Sequence, residues 1–274
     1  MPELPEVETI VRQLRRLIVG KTIARVRVLW QSSVQGHAGE FKRRLAGMTI
    51  HAVSRRGKYI GIEGEDGSFF TIHLRMTGKL VRELDLAGRR HARIEFRFLD
   101  GSVLYFVDAR KFGRLRLWPC KSQSCPGLGP EPLKPASVLS VLSGLSTRRP
   151  VKTVLLDQTI LAGVGNIYAD EALHAAGIHP LAPVGRLSSG QRLKLSRAVP
   201  KVLGDAIRRN GTTLRDYRTV AGRGGENREH LRVYGRAGQP CLACGVPIEK
   251  IRVSGRSAHF CPRCQKMTSV TSDK

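Results

Sequence analysis

No stretch of this chain approaches the roughly 18 consecutive apolar residues that a membrane-spanning helix requires, which excludes a helical membrane protein. The start is acidic and proline-bearing, unlike the basic-then-apolar layout of a secretory signal, and predicts a cytosolic chain. Cysteine is sparse, six in all, and in that compartment a disulfide scaffold is excluded. Acidic side chains are the other shortage, 22 against 47 lysines and arginines, for a formal net charge of +25.

The basic excess is spread along the chain. Residues 1–133 carry 24 basic and 13 acidic side chains, 134–200 carry 8 and 3, and 201–274 carry 15 and 6. A folded basic surface is implied, and a polyanion is its natural partner, since each neutralised phosphate releases counterions. Acidic lipid is the rival, but no basic amphipathic helix stands beside an anchor signal. The preponderance of arginine favours bidentate contacts to phosphate and guanine.

A length of 274 residues allows two domains with separate cores. Val7, Ile10, Val11, Leu14, Leu17 and Ile18 recur at helical spacing, which predicts an amphipathic helix over residues 5–19, ended by Gly20. Short alternating segments follow at 26–30, 48–53, 59–63, 69–73, 93–98, 103–107 and 115–118, separated by turns such as Glu65-Asp66-Gly67 and Asp100-Gly101. That spacing predicts an antiparallel β-sandwich or barrel. Leu128-Gly129-Pro130-Glu131-Pro132-Leu133 is a Gly/Pro-rich hinge, after which the pattern turns helical at 138–145, 151–156 and 187–207. The predicted class is therefore α+β, with an N-terminal β-sandwich domain over 1–133, a helical domain over 134–228 and a metal ribbon over 229–274.

The ribbon rests on Cys241-x2-Cys244-x16-Cys261-x2-Cys264. Two Cys-x2-Cys knuckles at this separation match one four-thiolate zinc site on a β-hairpin, structural because four protein ligands leave no open position. A ribbon too small for its own core folds by binding that metal. His259 is surplus to the set. Cys120 and Cys125 read as free thiols.

The opening, Met1-Pro2-Glu3-Leu4-Pro5-Glu6, holds candidate chemistry. Once Met1 is removed, Pro2 carries the α-amino group, which titrates at roughly 7.7–8.0 and is partly nucleophilic at neutral pH. Amines attack carbonyl-like carbons to give Schiff bases, and Glu3 and Glu6 lie close enough in sequence to move protons. Prolines and carboxylates at that spacing equally suit the first turn of a helix.

Met1-Pro2-Glu3-Leu4-Pro5-Glu6-Val7-Glu8-Thr9 resembles the opening of the bacterial formamidopyrimidine-DNA glycosylases, and further motifs follow in that family's order. They are Arg55-Arg56-Gly57-Lys58-Tyr59, His73-Leu74-Arg75-Met76-Thr77-Gly78, Asp108-Ala109-Arg110-Lys111-Phe112-Gly113, the stretch from Asp157 through Gly163-Val164-Gly165-Asn166 to Leu173, and the cysteine ribbon with Gly255-Arg256-Ser257 in its turn.

The resemblance implies a bifunctional glycosylase and abasic-site lyase acting on double-stranded DNA that contains oxidised purines or abasic sites. It implies a Pro2 Schiff base, β,δ-elimination, Glu3 and Glu6 as proton-transfer and placing groups, and Lys58 beside a phosphate next to the lesion. By the same resemblance, Met76 would enter the gap left by an extruded base, Arg110 would hydrogen-bond the orphaned base opposite, and Phe112 would stack beside it. The resemblance also implies DNA contacts from His91, Lys152, Asn166 and Arg256, with Lys152 near the lesion pocket and the last two on the DNA backbone. It further implies a helix–two-turns–helix DNA clamp in the helical domain, a mobile loop over 212–228 that caps the flipped base, one structural zinc, a monomer and a bacterial cytoplasmic location. Two features depart from the family pattern: Arg75 stands at a common glycine, and Gly225-Glu226-Asn227 stands where Gly-Tyr-Phe is frequent. A sister branch acting on oxidised pyrimidines, which usually has glycine in place of Leu4, and a DNA-binding protein without catalysis are the alternatives.

Overall fold

The computed structural model describes residues 1–267 and divides into two compact units, Met1–Pro126 with Ala206–Arg228, and Gly127–Asp205 with Glu229–Lys274. Residues 268–274 of the expected ribbon lie outside the described residues. The sequence assigned 206–228 to the helical domain; the structure groups them with the N-terminal unit. The reason is apolar: Tyr217 and Val220 join the core built by the N-terminal helix and sheets.

In the first unit α1 (Leu4–Ile18) buries Leu4, Val7, Ile10, Val11, Leu14 and Ile18 on one face. Fully burying such side chains contributes about 1.5–3 kcal/mol each. Next come β1 (Ile23–Val28), β2 (Val34–Gln35), α2 (Ala38–Leu45), β3 (Ile50–Arg56), β4 (Tyr59–Gly64), β5 (Phe69–His73), β6 (Lys79–Val81), α3 (Leu86–His91), β7 (Ala92–Phe98), β8 (Val103–Val107) and β9 (Arg114–Trp118). They form a four-stranded sheet, β1-β7-β8-β6, and a five-stranded sheet, β2-β9-β5-β4-β3. Pairings are antiparallel except the short parallel β2–β9 bridge. One hydrophobic core draws on both sheets, with Phe70 edge-on to Phe41 and stacked on Phe96 at 5.9 Å. The expected sandwich with its flanking helix is what is seen.

In the second unit are α4 (Pro135–Ser143), α5 (Val151–Leu156), α6 (Asn166–Ala176) and most of α7 (Ser189–Arg208), with a two-stranded hairpin of β10 (Glu249–Val253) and β11 (Arg256–Phe260). Among the described residues no helix is long and apolar enough to cross a membrane.

Candidate functional site

Three clusters hold most of the predicted site residues. The first is the start of α1. Glu3 is its N-cap, and the Glu6 carboxylate accepts the Glu3 backbone N–H at 2.8 Å. Pro2, Glu3 and Glu6 are all buried, Glu6 to 1% exposure. The second oxygen of Glu6 accepts the Thr212 backbone N–H at 2.8 Å, so the carboxylate joins the N-terminus to the loop 212–228. That approach depends on Gly211. Its φ of +82° favours glycine, and a Cβ there would stand 2.8 Å from a Glu6 carboxylate oxygen. The Tyr217 hydroxyl donates to the Asn210 carbonyl at 3.0 Å, and burial pushes that phenol well above its usual range.

The neck of the same loop is closed by the sequence that departs from the family pattern. Thr212 and Glu226 form a bridge, and the buried Asn227 amide donates to the Thr212 hydroxyl at 2.9 Å. Gly225 passes against the Gly211 carbonyl, where a Cβ would be 2.2 Å away. Gly225-Glu226-Asn227 thus serves loop closure locally. Nothing in its spacing signalled that, because the partners lie some fifteen residues upstream.

The second cluster is on the β-sandwich. Lys58 follows Gly57, whose φ is +55°, in the two-residue turn joining β3 to β4, and is buried despite being on a turn. Beyond β5 the chain enters an irregular loop in which Met76 is exposed. Arg75 takes the left-handed conformation, φ +54°, at the position where glycine is common in the family. Its backbone N–H donates to His73 Nδ1 at 3.0 Å, so His73 is neutral with its proton on Nε2. Burial, with the charges of Arg75 and Lys58 secondary, depresses His73 to about 3.

A second loop follows β8 and exposes Arg110 and Phe112, the guanidinium 4.7 Å from the ring centroid. The fully buried Asp108 carboxylate ties the two loops, accepting from the Thr77 hydroxyl, the Arg110 N–H at 3.2 Å and the Gly113 N–H at 2.7 Å. His91 ends α3, where its carbonyl accepts the Asp108 N–H at 2.9 Å. Beside it a cavity of about 520 Å³ is lined by Thr77, His91 and Ala109 and, from the loop 212–228, by Asp216, Arg218 and Gly222. Pro2, Glu3 and Glu6 are not among its walls.

The third cluster lies in the second unit. Gly163, φ +96°, turns the chain into α6, and Gln158 braces that turn by accepting the Gly163 N–H at 2.9 Å. Asn166 begins α6; its amide donates to the Ser257 carbonyl at 3.1 Å, while its buried Oδ1 has no hydrogen-bond partner. Lys152 behaves differently from the expected DNA contact. It is completely buried, 2.6 Å from Asp170, and donates to the same Ser257 carbonyl at 2.5 Å. Its charge is consumed inside the protein, so it supports the Arg256–Ser257 turn rather than presenting itself to solvent. Asp170 also accepts the His259 backbone N–H at 2.9 Å, and the His259 ring Nδ1 lies 3.3 Å from the same carboxylate oxygen, so Asp170 is the partner of the histidine left out of the metal set. Arg256 itself is exposed.

Cys241, Cys244, Cys261 and Cys264 converge with all four sulfurs within 4.8 Å of one another. A tetrahedral zinc with Zn–S of about 2.3 Å spaces its sulfurs by about 3.8 Å, and the Cys244–Cys261 and Cys241–Cys264 separations of 3.4 and 4.0 Å bracket that value. The donor set fits one structural zinc and no open coordination position. His174 Nε2 stands 3.7 Å from the Cys241 sulfur, a supporting contact that its sequence position gave no hint of.

Family models match along the chain: the formamidopyrimidine-DNA glycosylase N-terminal domain over residues 1–115, the formamidopyrimidine-DNA glycosylase H2TH domain over 128–218, and the zinc finger found in FPG and IleRS over 238–266. The formamidopyrimidine-DNA glycosylase of Geobacillus kaustophilus is 42% identical, covering 97% of this chain and all of the relative.

This chain belongs to the formamidopyrimidine-DNA glycosylase family.

Among solved family members, a mutant Lactococcus lactis FPG in complex with Fapy-dG containing DNA superposes with a TM-score of 0.88 at 36% identity, covering 97% of this chain and 100% of that one. Wild-type Lactococcus lactis FPG with DNA containing an oxidised pyrimidine superposes with a TM-score of 0.87 at 36% identity and the same coverage. Family membership accounts for the order of the three clusters along the sequence, which no single motif established.

Proposed function

We propose that this chain is a bifunctional DNA glycosylase and abasic-site lyase that excises oxidised purines, with Pro2 as its nucleophile. The observation that carries the reading is the Glu3–Glu6 pair buried at the N-terminus, with Glu6 bound to both the Glu3 and Thr212 backbones. After Met1 is removed, Glu3 takes the proton that frees the Pro2 nitrogen; that nitrogen attacks C1′ of the damaged nucleotide, the bond to the base breaks, and the base leaves with the proton the nitrogen then sheds. Glu3 protonates the sugar ring oxygen as the ring opens, leaving an iminium on Pro2. Loss of a C2′ proton expels the 3′ phosphate, and a second elimination expels the 5′ phosphate. Glu6 keeps the loop 212–228 registered against this centre.

Lys58 serves a phosphate beside the lesion. Met76, Arg110 and Phe112 enter the gap vacated by the base, Asn166 and Arg256 hold the backbone, and His91 makes a further DNA contact. Lys152 serves indirectly, through Ser257. Zinc, when bound, fixes the β10–β11 hairpin that carries Arg256. One chain carries every residue assigned above, so the acting form is a monomer, and light scattering of the DNA complex checks its mass; its bacterial glycosylase relatives favour a cytoplasmic location. Oxidised pyrimidines are a second substrate class, a reading favoured by the Lactococcus lactis complex with such DNA.

The test is borohydride trapping on duplexes carrying 8-oxoguanine or an oxidised pyrimidine. Covalent trapping is expected for the mature protein, faster with 8-oxoguanine, and strongly reduced for Pro2→Gly with DNA binding retained. Full strand cleavage by Pro2→Gly removes Pro2 from the mechanism, and binding without trapping by the wild type leaves a DNA-binding protein.

A further inference from the structure

The exposed residues assigned to gap filling sit on two loops separated by some thirty residues, yet one buried side chain holds both. Asp108 lies at the end of β8 and is fully buried. Among the described residues its carboxylate accepts three hydrogen bonds, all from the two loops. One comes from Thr77, the residue after Met76; the others come from the Arg110 and Gly113 backbones, which flank Phe112. The Arg110 N–H also lies 3.2 Å from the Thr77 hydroxyl, closing the set on itself.

The backbone of Asp108 is fixed in turn. Its N–H donates to the His91 carbonyl at 2.9 Å, and its carbonyl accepts Arg93 Nε at 2.8 Å. Both loops need that restraint, because each contains a side-chain-bearing residue in the left-handed region, Arg75 at φ +54° and Lys111 at φ +60°. Such conformations persist where the surroundings over-determine them. Glycine at 113 permits its bond to Asp108: a Cβ there would meet the Phe106 ring at 2.4 Å and the Asp108 carboxylate at 3.1 Å.

We propose that Asp108 is a positioning residue that couples the two loops, presenting Met76, Arg110 and Phe112 to DNA as one pre-ordered insert. Ordering the loops before binding removes that entropic cost from base extrusion. The inference rests on the gap-filling role proposed above for these three residues.

The experiment measures single-turnover rates on an 8-oxoguanine duplex and on a preformed abasic duplex. At an abasic site there is no base to unstack, so extrusion costs little. Asp108→Asn points an amide at backbone N–H donors and is expected to slow excision about ten- to a hundredfold, from the loss of a buried acceptor. Abasic cleavage should change little. Thr77→Val should act in the same direction and, sharing the carboxylate, should add little to Asp108→Asn, whereas Thr77→Ser should restore excision. If Asp108→Asn does not fold, the Thr77 pair carries the test alone. Equal losses on both substrates, or normal excision by Thr77→Val, overturn the coupling. Phe112→Ala separates the two levels: if it fails to discriminate the substrates, the gap-filling role itself falls; if it discriminates while the Thr77 and Asp108 variants do not, only the coupling does.

Discussion

His73 shows how a single residue ties the loop geometry to pH. Its Nδ1 accepts the Arg75 N–H, which only the neutral ring can do, and burial holds its pKa down at about 3 against 6.5 for a free histidine. The folded state therefore resists a proton that the unfolded chain accepts. Above pH 6.5 the residue is neutral in both states and costs nothing. As pH falls from 6.5 toward 3, the unfolded state gains the proton first, and stability declines by up to about 1.4 kcal/mol per pH unit from this group. His73→Asn keeps an acceptor near the Nδ1 position and cannot titrate. Its thermal midpoint should fall less steeply than that of the wild type as pH is lowered from neutral to about 5, so parallel profiles would mean that His73 is not protected.

At the scale of elements, the long amphipathic helix and the alternating strands were legible in the sequence; β5 (Phe69–His73) and β8 (Val103–Val107) coincide with the runs read there. Those segments present period-2 or period-3.6 faces to one core, and the pattern is the cause of the structure. The missed pieces are short: α2 buries only Phe41 and Leu45, and β6 has three residues. Their places are set by neighbours distant in sequence, not by their own periodicity. The same holds for the site. Pro2, Glu3, Phe112 and the four cysteines stand in motifs, whereas Gly211, Asp170 and the bracing role of Asp108 exist only through contacts across the fold.

The zinc hairpin makes this testable as an element. Its buried cluster is small, Val233, Ile248, Cys241 and Cys261, so the thiolate–metal bonds replace a core. Chelation, or Cys244→Ala, should abolish tight DNA binding while near-ultraviolet circular dichroism of Trp30 and Trp118, both in the β-sandwich unit, is retained. A metal-free protein that nicks lesion DNA at the normal rate would detach the hairpin from the DNA grip.

For the whole molecule the open choice is between a general basic field and discrete phosphate contacts. Both units are basic: Met1–Pro126 with Ala206–Arg228 carries 30 basic against 14 acidic residues, and the remainder carries 17 against 8. A field of that breadth steers DNA from a distance but is screened over roughly 8 Å at physiological ionic strength. A discrete contact instead releases its own counterions, about 0.9 per neutralised phosphate of B-form DNA, and appears as a slope of log affinity on log salt. Arg256, exposed on a turn braced by Lys152 and Asn166 through the Ser257 carbonyl, has the geometry of a discrete contact. Arg97, paired with Glu95 at 3.2 Å on the sheet, contributes charge only to the field. Arg256→Ala should flatten the salt slope by about one unit and weaken lesion-bearing and undamaged duplexes alike, since phosphate contacts carry no base information. Arg97→Ala should leave the slope unchanged and lower only the association rate at low salt. Indistinguishable slopes for the two variants would return Arg256 to the general field and leave the zinc hairpin without an assigned phosphate.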